Sequence, residues 1–471
     1  MRLAILGDTH YTNAAYHVEA LAGRSRSPTA RADVARHVWT TEHVLPRVLE
    51  QVRAARPDVV VLLGDVNQGH CDDDAGDVAE LAEALALFRR VERSLLFARG
   101  THEGRPGSAA DAAYRVTFLP EIARTMAAFG TAWPESDRDT SYLVDLGPLR
   151  LIVLDYTTFA PDGPADALLQ RGLAEAAARG QRAIVCGHPP LIPIARPFFS
   201  RIEYATTVLS RISEATAPLD GYFCGHTHNQ VATLHRLASG AWLPQLQGAP
   251  VGYPDQTAVP LADVRPLLPT RESVKWGWGF LEDSHPGFFL VDVTAESVVA
   301  RWQLVSDPGR DRGIVRWTAA GEPQVAGGPP EPPPASLPAL PLAPGTVRGV
   351  RLRAAGVGSR APHRISLNGV DAGTLPALEY FDARQGVDLP ERLWAAVGRE
   401  NELRVEPAGP EDRCLGGLVL EVTVADGSVV RTASEPALYA TSDKWESWRW
   451  CTPGLVRVEP LEPLVFHLDF G

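Results

Sequence analysis

Short apolar runs, each closing on glycine and then on polar residues, recur along the N-terminal part of the chain: Leu3–Leu6, Val59–Leu63, Ser94–Ala98, Ala183–Val185 and Gly221–Cys224. Unbroken apolar runs of this length, bounded by glycine, read as buried strands. Ser141–Leu146, Leu149–Asp155 and Gly287–Val293 read as further strands. Between them, Ala79–Val91 and Asp166–Arg179 space their apolar residues at helical period. Thr41–Ala55 predicts a capped amphipathic helix, which Pro46 limits to its later part. The segment Tyr11–Arg36 is longer than a strand–helix–strand unit needs and reads as an insertion over one sheet edge. The acidic stretch Asp72–Asp77 reads as a solvated loop. Strands alternating with helices predict two packed sheets with helices outside.

The pattern changes after residue 318. From Ala319 to Gly345 proline and glycine dominate, as expected of a semi-rigid linker without regular structure. Beyond it, Val347–Arg353, Arg364–Leu367, Asn401–Val405, Gly417–Val424 and Val429–Thr432 alternate in strand fashion, and Asn368-Gly369 and Asp426-Gly427 are hairpin signals. The expected organisation is an α/β domain over 1–318, a linker over 319–345 and an all-β, jelly-roll-like sandwich over 346–471. The tail resembles galactose-binding accessory modules only weakly. Trp445, Trp448 and Trp450 read as a core or interdomain patch ahead of a sugar platform.

The polar residues that close the strands carry the chemistry. They read Gly7-Asp8-Thr9-His10, Gly64-Asp65-Val66-Asn67, Gly100-Thr101-His102-Glu103, Gly187-His188-Pro189 and Gly225-His226-Thr227-His228. Side chains just past the carboxyl ends of strands gather on one edge, where α/β proteins build their sites. Any one cluster has an ordinary structural reading; five with the same order of strand, glycine and ligand do not. Aspartate and histidine in this number offer mixed oxygen and nitrogen donors, which suit Mn, Fe or Zn better than Mg alone.

At these residues the chain resembles the calcineurin-like metallophosphoesterase superfamily, over roughly residues 1–305. The resemblance implies a four-layer α/β/β/α fold and two divalent metal ions. It implies Asp65 as the carboxylate bridging them, Asp8, His10 and His228 completing one site, and His188 and His226 serving the other. It implies hydrolysis by a metal-bridging hydroxide, with His102 facing the leaving group as proton donor. The family usually has asparagine where this chain has Thr101, a shorter and poorer ligand; Thr101 is kept as a candidate for the second metal, with Asn67 an outside alternative. Glu103 could orient a histidine or simply start a helix. His17, His37, His43 and His70 follow no strand and receive no role. Tyr253, Trp276, Trp278 and Phe280 read as packed cover ahead of a cleft lining, and His285 as structural.

The expected activity is that of a phosphodiesterase on a small phosphoester, with a phosphomonoesterase or nucleotidase as the alternative on the same site. A non-catalytic scaffold with a carbohydrate-binding tail is the alternative of another class. The formal charge of -12 argues against a nucleic-acid surface; a small basic group at Arg24, Arg26 and Arg31 could still read phosphate. No apolar run reaches membrane-span length, and no signal-peptide pattern opens the chain. The five cysteines, Cys71, Cys186, Cys224, Cys414 and Cys451, show no metal-ligand spacing. Together these predict a cytoplasmic protein without a membrane partner, open to homo-oligomerisation through its C-terminal domain.

Overall fold

The structure is a computed structural model. It describes residues 1–24, 30–192, 202–215, 219–226, 228, 230–237, 240–248, 274–283, 286–317, 324–327, 336–357, 362–376, 385–408, 413–432, 438–440, 456–458 and 462–470. These fall into two compact units that meet in sequence between Pro329 and Pro330.

The first unit holds two seven-stranded sheets. One contains β1 (Arg2–Leu6), β2 (Val59–Leu63) and β3 (Ser94–Ala98), which run parallel, followed outward from β1 by the antiparallel β11 (Gly287–Val293), β12 (Val298–Leu304), β13 (Asp311–Trp317) and β14 (Gln324–Gly327). The other contains β4 (Tyr142–Leu146), β5 (Leu149–Val153), β6 (Arg182–Cys186), β7 (Leu219–Cys224), β8 (Gln230–Leu237), β9 (Trp242–Gln247) and β10 (Val274–Asp283), in the order β10-β8-β9-β7-β6-β5-β4. Within it β5, β6, β7 and β9 are parallel. All five residues of β2, and all five of β6, are buried, as an inner parallel strand covered on both faces requires. Leu6, Leu63 and Phe97 of the first sheet share one apolar core with Leu151, Ile184 and Phe223 of the second. The two sheets therefore face each other, with helices outside, as the four-layer expectation states.

The helices differ from the sequence reading in instructive ways. Residues 18–55 form α1 (Val18–Leu21), α2 (Ala30–His43) and α3 (Leu45–Ala55). The helix expected over Thr41–Ala55 is thus divided at Val44, because Pro46 occupies the first turn of α3, where its missing N–H costs nothing. The acidic stretch expected to be a solvated loop instead begins α4 (Asp74–Phe88): the Asp73 carboxylate accepts from the Gly76 N–H at 2.7 Å, and Asp74 and Asp77 lie in the positive first turn. Besides α1 and the first half of α2, which lie in the segment read only as an insertion, α5 (Ala109–Ala128), which carries Pro120 in its interior, and α7 (Ile202–Glu214) were not anticipated. α6 (Pro164–Arg179) lies where expected and packs on β4, β5 and β6.

The expected linker over 319–345 is structured at both ends. Gln324–Gly327 is proline-free and extends the first sheet through β13, whereas Leu342 is buried in the core of the second unit. That second unit has a sheet ordered β18-β15-β20-β22-β23 with β21 beside β20, and a four-stranded sheet ordered β17-β16-β19-β24. Its strands are β15 (Val347–Val357), β16 (His363–Leu367), β17 (Val370–Leu375), β18 (Gln385–Leu389), β19 (Glu400–Val405), β20 (Arg413–Val424), β21 (Val429–Arg431), β22 (Leu438–Ala440), β23 (Val456–Val458) and β24 (Leu464–Asp469). All described pairings are antiparallel except β22 with β23. Asn368 and Gly369 both take positive φ, 49° and 78°, as the tight β16–β17 hairpin demands. Arg26, Tyr253, His285, Trp445, Trp448, Trp450 and Cys451 lie outside the described residues, as do the side chains of Trp276, Trp278, Phe280 and Cys414.

Candidate metal centre

The strand register brings the polar turns together. Leu6 lies beside Leu62, Leu63 beside Ala98, and Cys186 beside Phe223, so the strands of each sheet end level with one another. The next residues leave the sheets through backbone that side chains rarely adopt: φ is 52° at Asp8, 42° at His10, 50° at Asp65, 76° at His226 and 56° at His228. Left-handed backbone costs a non-glycine residue roughly 1–2 kcal/mol. Asparagine, aspartate and histidine tolerate it best.

The glycines that close these strands are steric necessities, because each lies hard against a neighbouring segment. A Cβ on Gly100 would fall on the Asp65 backbone nitrogen and carboxylate, and one on Gly225 would fall on the Asp8 carboxylate. Chain and ligand are in contact, with no room for a methyl group.

Two donor sets result, and they share Asp65. Asp8, His10, Asp65 and His228 form one; Asp65, His188 and His226 form the other. In the first, His10 Nδ1 donates to Gln68 Oε1 at 2.8 Å, which leaves its Nε2 lone pair facing His228 Nε2 at 3.1 Å. In the second, His188 Nδ1 donates to the Leu63 carbonyl at 2.8 Å, and its Nε2 lies 3.1 Å from Asp65 Oδ2 and 3.0 Å from His226 Nδ1. All six side chains are buried.

The electrostatics call for positive charge. Burial alone would lower the His188 imidazole, yet the Asp65 charge and hydrogen bond push it up to about 9. Burial likewise opposes ionisation of Asp65, but His188 and then His102 hold its carboxyl well below the usual range. His10 is pulled down to about 3 by burial and by neighbouring His102, so it presents a neutral nitrogen. Neutral imidazoles and ionised carboxylates are the protonation states that bind metal. The donor chemistry and its convergence fit two cations.

His102 sits at the rim, partly exposed. Its backbone N–H donates to Asp65 Oδ1 at 2.9 Å, its Nδ1 donates to the Gln68 carbonyl at 2.5 Å, and its Nε2 is 4.0 Å from Asp65 Oδ2. Thr101 Oγ1 lies 3.0 Å from both Asp65 carboxylate oxygens, as a hydrogen-bond donor to that group. Asn67 is turned elsewhere, its amide donating to Glu80 at 3.1 Å. Glu103 orients no histidine; it accepts from the Val66 and Gly100 N–H groups at 2.5 and 2.7 Å and so joins the second and third turns. Beneath that loop the buried Arg99 pairs with Asp111 at 2.7 Å and reaches the Gly104 carbonyl at 2.5 Å.

Three neighbours were missed. His37 of α2 stacks on His10, with ring centroids 4.4 Å apart and planes 18° apart. His70 meets His102 edge to face at 5.3 Å. Gln68 holds both His10 and His102. None follows a strand directly. The only signal available for Gln68 was its place three residues beyond Asp65.

Residues 1–230 match the model of the calcineurin-like phosphoesterase family. The structure is similar to a purple acid phosphatase from yellow lupin (Lupinus luteus) seeds at 14% identity and TM-score 0.41, over 66% of this chain and 52% of that one; the chain thus spans about half of the lupin protein. It is similar to a dimetal phosphatase from Danio rerio at 14% identity and TM-score 0.41, over 68% of this chain and 99% of that one. It is also similar to PhoD at 12% identity and TM-score 0.43, over 70% of this chain and 72% of that one. No curated protein matches the chain.

Proposed function

With residues 1–230 belonging to the calcineurin-like phosphoesterase family, we propose that the chain is a two-metal phosphodiesterase acting on a small phosphoester. The observation that carries this reading is the sharing of Asp65 by two otherwise separate donor sets. Asp8, His10, Asp65 and His228 would hold one ion, Asp65, His188 and His226 would hold the other, and Thr101 would support the second through Asp65 or as a direct ligand. The donor types suit Mn, Fe or Zn. When bound, such a pair supplies an acidified water and neutralises charge on the phosphoryl oxygens.

The protein groups do the rest. His102 is fixed through Nδ1, so its Nε2 is the atom available to deliver a proton to a departing oxygen. His10 and His188 have their second nitrogens engaged by Gln68 and Leu63, which sets ring orientation. A monoester dianion would gain most from additional cations near the site. Arg24, the described arginine closest to the start of the basic loop, is already paired with Glu19 through two bonds of 2.6 and 2.7 Å. Arg24 is thus engaged away from a substrate phosphate, and the choice between diester and monoester rests on the comparison of the two substrates.

The test is hydrolysis of bis(p-nitrophenyl) phosphate and p-nitrophenyl phosphate by metal-stripped protein after restoring Mn, Fe(II), Zn, Ni or Mg. Metal-dependent turnover favouring the diester is expected. Preference for the monoester would move the function to a phosphatase, and no turnover by protein that holds two ions would overturn the catalytic reading.

A further inference from the structure

We propose that His17, Cys71 and Glu80 form a third metal site, distinct from the candidate dimetal centre, that takes one divalent cation of the zinc class. The ligand atoms of these three residues all lie within 4.8 Å of one another. His17 Nε2 is 2.8 Å from Glu80 Oε1 and 3.7 Å from Cys71 Sγ. His17 and Glu80 are fully buried, while Cys71 is partly exposed and leaves the cluster open to solvent on one side.

The donor set selects the ion. Imidazole, thiolate and carboxylate are all zinc ligand types, with a fourth position left to solvent on the Cys71 side; an all-oxygen cation such as magnesium or calcium gains nothing from sulfur. Asn67 borders the cluster through its amide. Its amide nitrogen contacts Glu80 Oε2 at 3.1 Å, and its Oδ1 is buried with no donor. Without a cation, Glu80 is a carboxylate served by the Asn13 and Gly69 N–H groups, His17 and Asn67. That arrangement satisfies Glu80 and holds the Cys71 thiol among the Glu80 and Asp77 carboxylates, but it leaves the Asn67 oxygen unserved. Binding would exchange the Cys71 thiol proton for the metal.

The three ligands come from separate segments: His17 caps α1, Cys71 lies in the loop after β2, and Glu80 lies within α4. A cation here would fasten the loop that runs from Asp65 through Gln68 to Cys71, and so would act structurally.

Cobalt(II) titration of the metal-stripped full-length protein tests this. A cobalt–thiolate charge-transfer band in the near ultraviolet reports a sulfur ligand, and neither donor set of the dimetal centre contains sulfur. We expect three equivalents bound and a band that saturates with one of them. Cys71→Ser should abolish the band, His17→Gln should weaken that one equivalent, and Asp65→Asn should keep the band while losing dimetal occupancy. Cys186→Ala and Cys224→Ala should leave it intact. The site is refuted by wild-type protein that binds no more than two ions or shows no band, or by a band that survives Cys71→Ser. The wild-type titration decides the matter even if the variants fold poorly.

Discussion

Asp65 and His102 are bound to each other through the backbone as well as facing each other through their side chains: the His102 N–H donates to Asp65 Oδ1 at 2.9 Å, and His102 Nε2 lies 4.0 Å from Asp65 Oδ2. The proposed bridging carboxylate and the proposed proton donor are therefore set at a fixed separation by a direct hydrogen bond between residues 37 positions apart. His102→Ala should lower kcat about 10²–10⁴-fold for alkyl phosphodiesters, the range of general-acid catalysis. The loss should be clearly smaller for p-nitrophenyl esters, whose leaving group needs little protonation. Equal losses on both substrates, measured side by side, would remove His102 from the leaving-group role.

Thr101 separates two ways of supporting the second ion. Its hydroxyl lies 3.0 Å from each Asp65 oxygen. Thr101→Val keeps the shape and removes the hydroxyl. Metal titration by calorimetry should show one of the two ions bound roughly 10–100-fold more weakly, as for lost supporting bonds around a ligand, with the other little changed. Unchanged affinity for both would leave the hydroxyl without a metal-related role.

Gly100→Ala and Gly147→Ala make a matched pair. Gly147 has φ of 69° but open space around it, so alanine there should cost roughly 1–2 kcal/mol from backbone strain alone. At Gly100 the methyl group would collide with Asp65. Thermal unfolding with and without metal should show a small, metal-independent loss for Gly147→Ala. For Gly100→Ala the stabilisation conferred by metal should disappear.

The acid limb of stability has a specific contributor away from the metals. Burial pulls His235 of β8 down to about 3 from an ordinary 6.5, and its Nε2 lies 2.7 Å from Thr233 Oγ1. The unfolded chain then binds the extra proton between those two values, so stability contributed by neutral His235 is full above about pH 6.5 and falls as pH drops toward 3. Replacing it by leucine should flatten that part of the profile in metal-free protein. An unaltered slope between pH 6.5 and pH 4 would exclude His235 as its source.

The legibility of this protein followed the physics of burial. β1, β2, β3, β6 and β7 are buried strands whose sequences close on apolar runs, and the ligands that follow them were visible as a set. α5 was invisible because Pro120 lies within it and its buried face mixes Asp111, Glu121 and Thr125 with the apolar residues. β14 was hidden in a proline-rich neighbourhood, although its own four residues contain no proline. His37 reached the site by helical periodicity in an insertion, and His70 through the loop beyond Asp65, so neither had a strand end to mark it. His17, Cys71 and Glu80 are separated by 54 and 9 positions, a spacing that no local motif describes.

The positive φ angles at Asp8, His10, Asp65, His226 and His228 bear on how metal would be acquired. Conformations that a free chain rarely visits are imposed here by the sheets behind them, and hydrogen bonds such as those from Gln68 and Leu63 fix the rings. The ordering of the donors is thus completed by folding itself. An arriving ion meets a cage already in shape, and little of its binding free energy is consumed in immobilising ligands. The unfolded chain, whose aspartates and histidines are scattered across 220 positions from Asp8 to His228, should compete poorly for the same ions.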